Sequence, residues 1–124
     1  MSRWLLIAAI AGALAVAAGA FAVHGLQGRL DAHALSLFET GARYHMYHAL
    51  GIGLAAFAIR DAAAGAAATA AAFFLAGILL FSGSLYLLAL TGAKGFAFVT
   101  PLGGVCFLIG WGALAFAATR LKVR

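Results

Sequence analysis

Four stretches of the chain, residues 4–23, 44–59, 66–90 and 101–119, contain no aspartate, glutamate, lysine or arginine and are built almost wholly from apolar side chains. A bilayer core of about 30 Å is crossed by roughly 20 helical residues. Each stretch is therefore long enough for one crossing, the second only by borrowing the polar residues before Tyr44. The pattern predicts helices over about 4–24, 41–60, 66–91 and 101–120, an all-α membrane protein with four transmembrane helices. Too little chain remains for a soluble domain, so residues 1–124 read as a single integral membrane domain.

Between the first two helices the period changes. Ala34, Leu35, Phe38 and Ala42 fall on one helical face, and Ser36, Glu39, Thr40, Arg43 and Tyr47 on the other. With Asp31 as N-cap, residues 32–40 predict a short amphipathic segment. It either lies on the membrane surface or is an ordinary loop helix, and it runs into helix 2 with or without a kink at Gly41. The other boundaries carry local signals. Gly25 and Gly28 break helix 1 after His24, Arg60 and Asp61 mark a return to water, and Gly92 suits the left-handed position that ends helix 3. Thr100 as N-cap and Pro101 as first helical residue open helix 4.

Composition excludes a water-exposed fold: 66% of residues are hydrophobic and 9% charged, against about 25% charged in soluble domains. The formal charge of +5 sets eight Lys/Arg against Asp31, Glu39 and Asp61. In a membrane protein the matching partner is an anionic lipid headgroup, and nucleic acid is the weaker match. With four crossings, Arg3, Arg60, Arg120, Lys122 and Arg124 share one side and Arg29, Arg43 and Lys94 the other, which orients both termini to the cytoplasm. Cys106 is the one cysteine, so no internal disulfide or CxxC redox pair exists. The first apolar run exceeds the 7–15 residues typical of a signal-peptide core and reads as a retained helix.

Polar groups inside a span cost on the order of 2.5–3.5 kcal/mol per central charge, so they are expected to face a protein interior. Four sets qualify: the run Arg43, Tyr44, His45, Tyr47 and His48 in helix 2; His24 at the end of helix 1; Ser82, Ser84 and Tyr86 in helix 3; and Thr100 with Pro101, where free N–H groups could receive an anion. Glu39 precedes Arg43 by four residues, the favourable order for a helical ion pair. His45 and His48 stand three apart and, with His24, could ligate copper, iron or zinc, but no intramembrane carboxylate or thiolate pair joins them. Structural histidines are the preferred reading, and no metal or cofactor is assigned. Nothing resembles a nucleophile with its base or paired carboxylates, so no enzyme is read. Small residues four apart (Ala8 and Gly12, Ala15 and Gly19, Gly51 and Ala55, Cys106 and Gly110, Ala113 and Ala117) permit close helix approach, within one chain or between copies in a homo-oligomer.

Several ordered motifs carry a resemblance. They are Gly19–Leu26 (GAFAVHGL), Phe38-x-Thr40–Gly41-x-x-Tyr44-x-x-Tyr47–His48, Leu80–Tyr86 (LFSGSLY) with Leu90–Thr91–Gly92, and Thr100–Gly104 (TPLGG) with Gly110–Trp111. Across essentially its whole length the chain resembles the YgdD/YwdK-like family of small bacterial membrane proteins, a domain-of-unknown-function family with eukaryotic relatives among uncharacterised transmembrane proteins. The resemblance implies a four-helix inner-membrane protein without an assigned activity. Its recurring positions map to His24, Gly25, Tyr44, Tyr47, His48, Ser82, Gly83, Ser84, Tyr86, Thr100, Pro101 and Gly104. Members often carry glutamine at the position of His45, which leaves His24 and His48 as the histidines of interest. The expected function is a non-enzymatic structural or lipid- or partner-binding module. It is built around an intramembrane polar cluster of His24, Arg43, Tyr44, Tyr47, His48, Ser82, Ser84, Tyr86 and Thr100. The alternatives are a small oligomeric transporter or channel using that cluster as a path, and a haem- or copper-binding membrane protein.

Overall fold

A computed structural model describes residues 1–122, so Arg124, counted above among the cations of the terminal side, lies outside the described residues. The chain forms four long helices: α1 (Arg3–Leu26), α2 (Ala32–Ala58), α3 (Asp61–Thr91) and α4 (Lys94–Arg120). The last turn of α1, Ala22–Leu26, and a turn within α3, Ile78–Ser82, are wound as π-helix. The first turns of α3 and α4 are tightened to 3-10 geometry. Tight connections make successive helices antiparallel. Only Ile59 and Arg60 separate α2 from α3, and α3 ends at Gly92 in the left-handed conformation, with φ of 69°. The turn between α1 and α2 likewise uses a left-handed Gly28, with φ of 86°.

Three helices, α1, α3 and α4, are long and apolar enough to cross a membrane. α2 is not among them, because its first two-thirds carry His33, Glu39, Arg43, His45 and His48. It packs on α1, on α3 and more lightly on α4, and that central position is why its polar side chains find protein partners. The outward faces of α1 and α4 are apolar, with Leu6, Ile10, Leu14 and Val16 exposed on one and Leu102, Val105 and Leu108 on the other.

The expected separate amphipathic segment is the start of α2 itself, with no interruption at Gly41. Asp31 does cap it, its carboxylate accepting from the Ala34 N–H at 2.7 Å. The apolar face is turned to protein: buried Phe38 packs with Ala22, Leu26 and Ala89, while Ser36, Glu39 and Arg43 stay exposed. Among the described residues no ion pair joins Glu39 to Arg43.

The main core is small-on-large. Phe74 of α3 is fully buried and lies between two glycines: a Cβ on Gly51 of α2 would sit 3.1 Å from its ring, and one on Gly110 of α4 would sit 2.6 Å away. Phe107 of α4 occupies the reciprocal gap over Gly77 of α3. Gly103 lies against the backbone of Phe81, so α3 and α4 are in backbone contact there. With little hydrophobic drive between helices in lipid, such close approach is what binds them. Of the small-residue pairs anticipated from spacing, Ala8, Ala15, Gly51, Ala55, Gly110 and Ala117 are buried, whereas Gly12 and Gly19 face open space.

Candidate functional site

The polar residues of α2 and α3 make a short series of bonds from helix to helix. At one end Ser82, fully buried and the last residue of the π-helical turn, donates its hydroxyl to the Gly41 carbonyl of α2 at 2.7 Å. The π turn shifts the residues around it relative to a regular α-helix, and such bulges are frequent at functional positions. Gly41 packs tightly beside it, since a Cβ there would lie 3.0 Å from the Tyr86 ring. Tyr86 bonds His45 through its hydroxyl, 2.9 Å from Nδ1. Ser84 pairs with Thr100 of α4 and also donates to the Phe81 carbonyl at 2.9 Å.

His48 sits one turn further along α2 and is 4% exposed. Its Nδ1 lies 2.7 Å from the Tyr44 carbonyl, and its Nε2 lies 3.1 Å from the indole nitrogen of Trp111 on α4. A carbonyl only accepts and an indole N–H only donates. The imidazole is therefore the neutral tautomer with its proton on Nδ1, and both ring nitrogens are in use. The ring stacks on Phe107, with centroids 3.4 Å apart and planes 7° from parallel. Tyr44, Tyr47, Phe81, Leu108 and Trp111 complete a groove of about 390 Å³ around it. His45 and Tyr86 line a second, almost wholly apolar groove of about 310 Å³ between α1, α2 and α3, together with Ile7, Leu14 and Leu79.

The structure thus divides the predicted cluster. Tyr44, Tyr47 and His48 share the α2–α4 groove, Ser82 and Tyr86 join α3 to α2, and Ser84 joins Thr100. His24 does not take part: it is exposed in the π turn of α1, whereas the bonded set lies on α2, α3 and α4. Arg43 is exposed too. Thr100 does not cap α4. The helix begins earlier, at Lys94, so the Leu102 and Gly103 N–H groups already donate to Val99, and the Thr100 hydroxyl turns back toward Ser84. The anion site expected at that N–H group is consequently closed.

Three participants lie outside the cluster expected from sequence. His45 is one, although it shares a face with His48. Trp111 and Phe107 give no polar signal of their own, and only their spacing of four on one face of α4 points to a common surface. His45 and His48 turn to different neighbours, α3 and α4, so their spacing of three does not make a shared ligand pair. Among the described residues no group of three or more His, Cys, Asp or Glu side chains converges. What the arrangement does chemically is to satisfy buried polar atoms pairwise. Among the described residues no buried side-chain nitrogen or oxygen lacks a partner.

No solved structure matches the chain. The family described as a protein of unknown function (DUF423) matches residues 18–104. The UPF0382 membrane protein YwdK of Bacillus subtilis is 44% identical over 97% of this chain and 98% of its own length. A UPF0382 membrane protein of Haemophilus influenzae is 43% identical over 98% of this chain and 97% of its own. The UPF0382 inner membrane protein YgdD of Escherichia coli K12 is 43% identical over 98% and 93%. A four-helix fold with three helices fit to cross a membrane, matched end to end by these relatives, makes the chain a member of the DUF423 (UPF0382) family of membrane proteins.

Proposed function

We propose that this protein is a non-enzymatic structural module of the bacterial inner membrane, crossing it four times with both termini in the cytoplasm. Its polar residues are interhelical staples. One observation carries this reading: the buried polar side chains are spent on hydrogen bonds to neighbouring side chains and backbone carbonyls, and no partnerless buried side-chain nitrogen or oxygen remains among the described residues to act on a solute. In a hydrocarbon setting an unsatisfied group costs several kcal/mol, so pairing lets α2 be the fourth crossing despite His45 and His48. Its antiparallel course beside α1 and α3 supports the same reading. The positive charge of the terminal side supports the orientation. Membrane lipids with anionic headgroups are the proposed partners, together with a second copy of the chain.

His48→Ala tests the reading in two assays. As a staple, His48 is needed for stability, so the variant melts at lower temperature in detergent, while wild-type proteoliposomes pass protons and small solutes no faster than empty liposomes. Flux through the wild type that His48→Ala abolishes would instead establish a small transporter or channel and overturn the structural role.

A further inference from the structure

Both turns at the end of the molecule remote from the termini are made the same way, by a glycine in the left-handed conformation, and each carries one cation. Arg29 follows Gly28 in the α1–α2 turn, and Lys94 follows Gly92 by two residues in the α3–α4 turn. The helices are antiparallel neighbours, so the two turns meet, and between them lies a hollow of about 750 Å³ lined by Arg29, Asp31, His33 and Lys94 together with apolar side chains. This volume is within the range of small-molecule sites, about 300–1,000 Å³.

We infer that this hollow binds the phosphate headgroup of a glycerophospholipid, with Arg29 and Lys94 on the phosphate oxygens and the first part of an acyl chain along the apolar wall. The reasoning begins with which polar groups are free. Asp31 is engaged with the Ala34 N–H at 2.7 Å, and Thr91 donates to the Leu87 carbonyl at 2.6 Å while accepting from the Ala93 N–H. The side chains of Arg29, His33 and Lys94 make no hydrogen bond or ion pair with any described residue, so the hollow presents uncommitted donors, two of them permanently charged. A guanidinium fork and an ammonium are the side chains that hold phosphate oxygens best. The wall supplies the second half of the argument. Leu37 of α2 and Leu88 and Leu90 of α3 line the hollow, and Phe98, 81% exposed, stands at its edge. A free phosphate has no use for such a wall; an amphiphile does. The position is also right in depth, because α1 and α3 end there and headgroups lie where membrane-crossing helices end.

The inference rests on the membrane-embedded reading above but not on the staples. Native mass spectrometry of the full chain from detergent micelles tests it with three probes: dioleoyl phosphatidylglycerol, dioleoylglycerol with the same chains and no phosphate, and inorganic phosphate. The phosphatidylglycerol adduct is expected to survive to higher collision energy than the dioleoylglycerol one. Arg29→Gln combined with Lys94→Gln should weaken lipid binding about tenfold or more, and Arg29→Lys with Lys94→Arg should retain most of it. Both side chains are exposed, so the melting temperature of these variants should not move, whereas loss of a staple lowers it. Equal retention of dioleoylglycerol, an unchanged phosphatidylglycerol adduct in the double glutamine variant, or inorganic phosphate binding as tightly as the lipid would each overturn the proposal.

Discussion

The indole N–H of Trp111 meets Nε2 of His48 at 3.1 Å, and this bond, with the Tyr44 carbonyl on the other nitrogen, decides where the imidazole keeps its proton. Bonds of this kind between membrane helices average about 0.6 kcal/mol and reach about 1.7. Trp111→Phe removes the donor while keeping most of the aromatic surface, and it strands a buried acceptor. The variant is expected to lose stability toward the upper part of that range. In a His48→Leu background the same change should cost far less, because no acceptor is left to strand. A double-mutant cycle of thermal or denaturant unfolding in detergent measures the difference. Additive effects would mean that the two side chains are not coupled.

The glycines divide into those that a neighbour occupies and those that face open space. A Cβ at Gly103 would run into the Phe81 backbone, which cannot swing aside as a flexible side chain can. Gly103→Ala should therefore push α4 away from α3 and destabilise by about 1–3 kcal/mol, the usual cost of overpacking. A Cβ at Gly112 would meet nothing within 4 Å. Gly112→Ala should be neutral or gain up to about 1 kcal/mol from helix propensity. Thermal melts of the two variants in one detergent check the contrast, and equal melting temperatures would show that α3 and α4 do not touch at Gly103.

How much of this is legible in the sequence depends on the length scale. Helix number, and the apolar length of three of the four, follow from the spacing of charges, since any lipid-facing charge is expensive. The C-terminal glycine at Gly92 and the cap at Asp31 are legible because both are local, set by one residue and its own helix end. The partners of the polar residues are not. Ser82, Tyr86 and His48 announce that they need partners, but a hydrogen bond across 41 residues to Gly41 or across 63 to Trp111 depends on helix rotation, which periodicity leaves free. His24 falls outside the cluster for the same reason: its place at the end of α1 is legible, but its exposure there is not. Thr100 misleads because its cap signal is sound locally, yet the chain has already begun to turn at Lys94.

His45 and Tyr86 give a third prediction. The hydroxyl and Nδ1 are 2.9 Å apart across the α2–α3 contact. A glutamine at residue 45 carries both a donor and an acceptor, so His45→Gln should keep a bond to the hydroxyl and melt close to the wild type. His45→Leu offers neither, and should lower stability by about 0.6–1.7 kcal/mol. If leucine and glutamine behave alike in thermal melts, the hydroxyl has another partner or none is needed.

The crossing number is the fourth, and it can be read without purifying the protein. Replacing Cys106 by serine removes the native thiol, after which single cysteines are placed by Ser2→Cys, Arg60→Cys and Lys94→Cys in exposed turns. If α2 crosses, residue 60 returns to the cytoplasm and residue 94 lies outside it. A membrane-impermeant maleimide applied to intact cells, or to spheroplasts where an outer membrane intervenes, should then label Lys94→Cys, with Ser2→Cys and Arg60→Cys reacting only after lysis. If only α1, α3 and α4 cross, α2 stays on the far side and the pattern inverts for the two turns: Arg60→Cys reacts in intact cells and Lys94→Cys does not. The two topologies differ at both turns at once, so a labelling defect at one site cannot imitate the other answer. Arg29 and Lys94 would fall on opposite faces of the membrane in the three-crossing case, although the structure places them around one hollow, and that proximity is the strongest physical reason to expect the four-crossing pattern.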